Sequence, residues 1–98
     1  MKIVSWNVNS VRARLNNIAN FIKEASPDVL LLQELKCVEE MFPFEFFEEL
    51  GYSCAVLGQK SYNGVAIVSK LSIEDVVKGI PGYRDDQARY IEATIDGN

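Results

Sequence analysis

The sequence predicts an α/β fold built around a mixed sheet. Residues 2–7 and 28–34 are apolar runs of strand length, and a helical pattern of apolar residues separates them. A strand, a helix and a second strand within about 30 residues form a βαβ unit, whose strands are parallel neighbours in one sheet. The second half of the chain is mostly strand-like, which makes the sheet mixed rather than wholly parallel.

The first strand is assigned to KIVSWN, residues 2–7, because the run is apolar and partly β-branched. A helix follows, with Asn9 or Ser10 available to cap its first turn. Its apolar stripe consists of Val11, Leu15, Ile18 and Ile22, which recur at helical spacing. Proline disfavours helical geometry in the residue before it, so Ser26-Pro27 should end the helix near Ala25.

The second strand is assigned to DVLLLQE, residues 28–34. Its four consecutive apolar residues, Val29 to Leu32, indicate a strand buried on both faces, which belongs in the middle of a sheet. Burial does not explain why the run ends on Gln33 and Glu34.

The remaining elements are shorter. Pro43 should open a helix in PFEFFEEL and Gly51 should close it, with Phe44, Phe46 and Phe47 in the core. Two strands at 52–57 and 64–69 should form a hairpin around the loop GQKSYN, and further strands are expected at 74–80 and 89–95.

Composition is that of a single globular domain of 98 residues, 48% hydrophobic and 24% charged, with net charge −4. This charge argues against a bulk electrostatic grip on nucleic acid, although five of the carboxylates lie in residues 39–49 and the rest of the chain is nearly neutral. Two widely spaced cysteines and no histidine make a zinc site improbable and indicate free thiols. The N-terminus lacks a signal-peptide pattern and no run approaches a membrane span, so we expect a cytoplasmic protein.

Chemistry is expected where the first two strands end. The carboxyl ends of neighbouring parallel strands open onto one crevice, which would bring together the side chains of Asn7 and Glu34. Carboxylate and amide oxygens suit Mg²⁺, which often takes one or two carboxylates and keeps several waters. The alternative is that Glu34 is a solvated strand end and Asn7 caps a turn.

Cationic residues lie in the same segments. Arg12 and Arg14 follow the first strand, Lys36 follows Glu34, and Lys60 lies in the loop of the hairpin beside Tyr62 and Asn63. Such side chains could neutralise phosphates and fix the register of a nucleic acid without reading its bases. Alternatively, they are solvated charges on a mixed surface.

Three blocks in series, SWNVNSVRAR, PDVLLLQELK and GYSCAVLGQKSYNGVAIVSK, resemble the N-terminal portion of the exonuclease III family. That family of DNA-repair nucleases belongs to the endonuclease/exonuclease/phosphatase superfamily. The resemblance implies a sandwich of two mixed sheets with helices outside. It also implies a phosphodiesterase dependent on Mg²⁺, or on Mn²⁺, that cuts duplex DNA 5′ to abasic sites and removes nucleotides from 3′ ends.

Matching positions imply roles for particular residues. The metal is expected at Glu34 and Asn7. Gln33 is expected to contact these residues and not the metal itself. Substrate contacts are expected from a set on three loops, namely Asn9, Arg12, Lys36, Tyr62 and Asn63. Gly64 would let the chain pass close to its neighbours.

The resemblance also sets limits. Family members are longer, and their general base, catalytic histidine and further acidic residues lie in the later part, whereas this chain stops after Gly97-Asn98, a turn dipeptide. We therefore expect residues 1–98 to be the N-terminal portion of one truncated nuclease domain. Alone, this portion should be inactive and should bind Mg²⁺ weakly. It should also self-associate unless another chain or segment completes the domain. The alternatives are a superfamily member acting on RNA or another phosphoester, and a non-catalytic truncated remnant.

Overall fold

The computed structural model describes residues 1–78 and 91–95, which form two β-sheets and two α-helices. In chain order the elements are β1 (Ile3–Asn7), α1 (Leu15–Ala25), β2 (Val29–Gln33), α2 (Phe44–Glu49), β3 (Ser53–Leu57), β4 (Val65–Ser69), β5 (Ile73–Lys78) and β6 (Ile91–Ile95). Short 3₁₀ turns at Arg12–Arg14 and Glu39–Met41 precede the two helices.

The first sheet has the strand order β1-β2-β4-β3. Strands β1 and β2 are parallel, with Ile3 opposite Val29 and Asn7 opposite Gln33, so the predicted βαβ unit is confirmed. Strand β4 runs antiparallel to both β2 and β3, which makes the sheet mixed and places β2 inside it. The second sheet pairs β5 with β6 in antiparallel fashion. The predicted mixed α/β architecture with two sheets is confirmed.

Helix α1 packs against one face of the first sheet through the predicted apolar stripe. Val11, Ile18 and Ile22 are buried, and the ring of Phe21 meets Trp6 of β1 edge-on with centroids 5.5 Å apart. The prediction that Asn9 or Ser10 caps this helix is wrong, because neither the 3₁₀ turn nor α1 has a side-chain cap. The chain after β1 instead follows the chain after β2, as described below. No helix in the described residues is long and apolar enough to span a membrane.

Helix α2 begins after Pro43 and ends before Gly51, as predicted. Phe47 is fully buried, and its ring stacks on that of Phe42 at a centroid distance of 5.4 Å. The other two phenylalanines of the helix, Phe44 and Phe46, are half-buried against the same core. Gly51 has φ +91, a left-handed conformation that suits glycine at a helix end.

The β3–β4 hairpin is confirmed, with Leu57 opposite Val65 and the loop between them. Strand β5 begins at Ile73, one residue earlier than predicted, and its pairing with β6 shifts between Glu74 and Val77, where Asp75 has φ 50. Predicted strand residues 79–80 and 89–90 and the expected turn at 97–98 lie outside the described residues.

The second sheet lies over part of the other face of the first, where β6 contacts β4. A gap of about 310 Å³ remains between the sheets, and it is lined mainly by apolar residues, among them Met1, Ile3, Leu31 and Ile67. Met1 is 70% exposed and Ile3 is 58% exposed. Within the described residues, the β1 side of this face is therefore uncovered, and we call Met1, Ile3 and Leu31 the open face.

Candidate functional site

The carboxyl ends of β1 and β2 bring two predicted site residues into contact. The side-chain amide of Asn7 donates a hydrogen bond from Nδ2 to Oε2 of Glu34. Asn7 is exposed and Glu34 is half-buried, so the pair lies at the surface of the sheet edge. The parallel register explains this meeting, because Asn7 is opposite Gln33 and Glu34 is the next residue.

Asn9 and Lys36 extend this contact into a chain of four polar residues. Oδ1 of Asn7 accepts a hydrogen bond of 3.1 Å from the backbone N–H of Asn9. The ammonium of Lys36 donates in turn to Oδ1 of Asn9. The order of contacts is therefore Glu34, Asn7, Asn9 and Lys36, and both ends of the Asn7 amide are engaged. We call these four residues the polar chain.

Three loops support the polar chain through backbone hydrogen bonds. Segment 34–36 lies in the middle, with segment 8–11 on one side and segment 61–64 on the other. The bonds run from Ser10 N to Glu34 O (2.9 Å), Val11 N to Leu35 O (3.1 Å), Leu35 N to Gly64 O (3.2 Å) and Lys36 N to Asn63 O (2.8 Å). These loops continue the β1-β2-β4 order of the sheet beyond its regular strands.

A pocket of about 220 Å³ opens beside the polar chain. Its lining consists of Arg12, Lys36, Cys37, Val38, Met41, Lys60 and Ser61. Three of these side chains are cationic, and none of the seven is acidic. We call this cavity the basic pocket. It brings together one cation from each of the three segments singled out in the sequence, namely Arg12, Lys36 and Lys60, whereas Arg14 does not line it.

Other predicted site residues lie around this centre without joining the polar chain. Tyr62 is 68% exposed on the 58–64 loop. Asn63 contributes its carbonyl to Lys36 N–H, and its side-chain amide donates to Oε1 of Gln59 at 3.2 Å. The amide of Gln33 donates to Oγ of Ser5 at 3.0 Å and to the carbonyl of Leu31 at 3.1 Å. Its supporting role toward Glu34 stays a prediction.

Sequence reasoning missed two residues. Leu35 lies between Glu34 and Lys36 and is fully buried, and the signal for it was a single apolar residue between two charged ones. Ser61 lines the basic pocket, and no pattern in the loop distinguishes it from neighbouring polar residues. The close approach expected at Gly64 is present, since a Cβ there would lie 2.9 Å from Cβ of Leu35.

Both cysteines are free, as predicted. Burial raises the pKa of Cys37, and the charge of Arg12 partly opposes that effect. Burial and the nearby Glu48 raise the pKa of Cys54 to about 12. Both thiols are therefore protonated at neutral pH, which disfavours them as nucleophiles or metal ligands.

The donor set at the sheet edge fits a hard cation in kind. Glu34 offers a carboxylate, and Asn7 lies beside it with Nδ2 donating to Glu34 and Oδ1 accepting from the backbone N–H of Asn9. The amide oxygen of Asn9 accepts from Lys36. Mg²⁺ accepts such oxygen donors and needs only one or two carboxylates. Residues 1–78 and 91–95 contain no group of three or more histidine, cysteine or acidic residues able to hold a metal. Within the described residues, the polar chain therefore offers one carboxylate, that of Glu34.

Comparison with known proteins adds a family match. The model of the Endonuclease/Exonuclease/phosphatase family matches residues 4–98. An exodeoxyribonuclease III of Haemophilus influenzae is 39% identical over 97 residues, covering 98% of this chain and 36% of that protein. The chain thus spans about a third of the length of the relatives it matches.

Solved structures give the same likeness at the level of the fold. A 3′ phosphatase from Neisseria, solved with a product DNA hairpin, has a TM-score of 0.95 and 46% identity over 99% of this chain. An AP endonuclease of Archaeoglobus fulgidus has a TM-score of 0.92 and 41% identity over 99% of this chain. In both cases 38% of the solved chain is covered.

Proposed function

Because this chain belongs to the endonuclease/exonuclease/phosphatase family, we propose that it is the N-terminal portion of a DNA-repair phosphodiesterase of the exonuclease III type. The observation that carries this proposal is the contact between Asn7 and Glu34 at the adjoining ends of β1 and β2. This contact sets an acid at the edge of the sheet, where ligands of α/β folds bind. The similarity to a phosphatase solved with DNA supports DNA as the substrate.

Glu34 is proposed to hold Mg²⁺, or Mn²⁺, with Asn7 beside it. When bound, such a cation polarises a phosphoryl oxygen and stabilises the charge that develops in phosphodiester hydrolysis. Asn7 orients the carboxylate of Glu34 by donating to Oε2. The same contact sets the direction in which the other carboxylate oxygen, Oε1, points. Asn9 fixes the Asn7 amide through its backbone N–H and fixes Lys36 through Oδ1.

The basic pocket is proposed to bind a phosphate of the DNA backbone next to this centre. Arg12, Lys36 and Lys60 line it, and a cluster of cations on one side of an acidic protein provides a local attraction for a polyanion. Arg presents several donors in a fixed plane, which suits phosphate oxygens. Tyr62 and Asn63, on the loop that also carries Lys60, are proposed to contact the same backbone.

Residues 1–98 alone are proposed to be inactive. Hydrolysis needs a positioned base for the attacking water and an acid or a cation for the leaving oxygen. The polar chain offers one carboxylate, and Lys36 is engaged with Asn9. The remaining groups would come from the part of the domain that corresponds to the uncovered two-thirds of the relatives.

Nuclease assays on the full-length product of the gene test this function. The substrates are an abasic duplex, a duplex with a 3′ phosphate, and an RNA duplex, each with Mg²⁺ and with EDTA. We expect cleavage of the DNA substrates only with Mg²⁺ and a loss of at least about 100-fold in Glu34→Gln, the order expected when a charge-stabilising group is removed. Glu24→Gln, a change at an exposed acid in the last turn of α1, should leave the rate unchanged.

The assays also separate the alternatives. Faster cleavage of RNA than of DNA would assign the chain to another substrate within the family. No cleavage of any substrate by the encoded polypeptide would favour a non-catalytic remnant. Activity of Glu34→Gln equal to that of the unaltered protein would remove the proposed metal site.

A further inference from the structure

Left-handed backbone conformations recur in the site, at Asn9, Ser61 and Asn63 and at two residues of segment 34–36. Glu34 has φ 54 and Lys36 has φ 58, and Leu35 lies between them. Residues with a Cβ rarely adopt the left-handed region because Cβ crowds the following carbonyl oxygen. Such conformations persist only where the surroundings hold them. Something must therefore hold segment 34–36.

Hydrogen bonds on both edges restrain this segment. The carbonyls of Glu34 and Leu35 accept from Ser10 and Val11, and the amides of Leu35 and Lys36 donate to the 61–64 loop. Rotation of Glu34 or Lys36 into an ordinary conformation would break bonds to one neighbouring loop or the other. The strained geometry is thus tied to the position of both loops.

Packing provides a second restraint, centred on Leu35. Its side chain is fully buried and belongs to the core of the first sheet. Gly64, with φ +94, lies directly against it, so that an added Cβ would be 2.9 Å from Cβ and 3.3 Å from Cγ of Leu35. The 61–64 loop can accept the hydrogen bonds of Leu35 and Lys36 only because Gly64 has no side chain.

We propose that Leu35, seated under Gly64, is a positioning residue that holds the carboxylate of Glu34 against Asn7 and the ammonium of Lys36 against Asn9. This inference rests on the proposed function, because it assigns a purpose to the position of Glu34. Leu35 itself contacts neither metal nor phosphate. It acts by fixing the backbone on both sides, as outer contacts fix the ligands of metal sites.

Two glycines provide a matched test. Gly64 and Gly51 have nearly equal positive φ values, +94 and +91, but a Cβ on Gly51 would meet nothing within 4 Å. Alanine at either position carries the same backbone strain, and only Gly64→Ala also presses on Leu35. In the polypeptide at its encoded length, Mn²⁺ alone is titrated while the free-ion EPR signal is followed. We expect Gly64→Ala to bind Mn²⁺ about tenfold more weakly, with Gly51→Ala unchanged.

A second pair of variants tests the positioning role of Leu35 if Gly64→Ala does not fold. Leu35 and Leu30 are both fully buried leucines, but Leu30 lies within β2, away from the polar chain. Each is changed to valine, and thermal unfolding is measured beside Mn²⁺ affinity. We expect similar losses in Tm, with a loss of Mn²⁺ affinity in Leu35→Val alone.

Equal Mn²⁺ affinity in Gly64→Ala and Gly51→Ala, with both folded, would overturn the positioning role, as would equal weakening in Leu35→Val and Leu30→Val. Either result would leave the proposed metal site standing, provided that Glu34→Gln abolishes binding. Absence of Mn²⁺ binding in the unaltered protein is a different result, which would remove the proposed function together with this inference.

Discussion

At the scale of single residues, the site combines side chains brought together by strand register with a backbone held in the left-handed region at Glu34 and Lys36. Asn7 and Glu34 follow from the parallel pairing of two strands, because register alone brings their positions together. The left-handed conformations of Glu34 and Lys36 do not follow from residue type, since both residues usually avoid them. They result from hydrogen bonds with loops about 25 residues away in either direction, which no local pattern records.

Cys54 gives a prediction at this scale. Burial raises the pKa of its thiol to about 12, so the thiolate needed for alkylation is scarce in the folded protein. At pH 8.5 we expect iodoacetamide to modify Cys54 far more slowly in the folded protein than in urea. Mass spectrometry of tryptic peptides measures the two rates, and equal rates would contradict the burial of this thiol.

The same shift has a consequence for stability. A thiol whose folded pKa exceeds its unfolded value of 9.0 stabilises the fold below pH 9, and that contribution is lost as pH rises toward 12. Part of the fall in Tm above pH 9 should therefore disappear in Cys54→Ala. Thermal scans of both proteins at pH 7, 9 and 10 test this, and parallel curves would contradict it.

At the scale of elements, the helices, the strands and the β3–β4 hairpin lie where their sequence patterns placed them, whereas the segment after β1 does not form the predicted helix cap. The apolar stripe of α1 and the aromatic core of α2 are where periodicity placed them. The start of the first helix was missed because Asn9 is used by Lys36 and Asn7 instead of a helix end. A polar residue after a strand has several possible partners, and tertiary structure selects among them.

Helix α2 gives a prediction about packing. Phe47 is fully buried and Phe44 is half-buried, although both lie on the same short helix. We expect Phe47→Ala to lower the free energy of unfolding by about 3–5 kcal/mol through the cavity it leaves, and Phe44→Ala to cost clearly less. Urea unfolding measures both, and equal costs would show that α2 does not pack on its Phe47 side.

The loop between β3 and β4 gives a prediction about DNA. If Lys60 neutralises one phosphate from the basic pocket, Lys60→Ala should reduce the slope of log K against log salt by about one. Lys23→Ala, which removes an exposed cation from the last turn of α1, should leave the slope unchanged. Fluorescence anisotropy with a duplex at several salt concentrations makes the measurement. Equal slopes in all three proteins would exclude Lys60 from the contact.

At the scale of the whole molecule, the open face is an apolar surface that the other described residues leave uncovered. Met1 and Ile3 are exposed beside the gap between the two sheets. Large exposed apolar residues at a sheet face favour association with another surface. The family resemblance suggested such incompleteness from the sequence, but the open face itself could be located only from the strand order.

A polypeptide of residues 1–98 should therefore self-associate. Ile3→Ser replaces an apolar residue of the open face that is 58% exposed, whereas Val76→Ser replaces an apolar residue of β5 that is 40% exposed. We expect sedimentation to show fewer oligomers for Ile3→Ser and no change for Val76→Ser. Monomeric, protease-resistant unaltered 1–98 would contradict the role of the open face.

Strand β1 borders the first sheet and has one neighbour, β2, among the described residues. Hydrogen bonds alternate along a strand, and Val8 N–H faces β2, so the N–H groups of Ile3, Ser5 and Asn7 face outward. Their exchange with deuterium should be rapid in 1–98 and slow once another strand occupies that border. These three amides would thus report, at individual positions, when another strand pairs with β1.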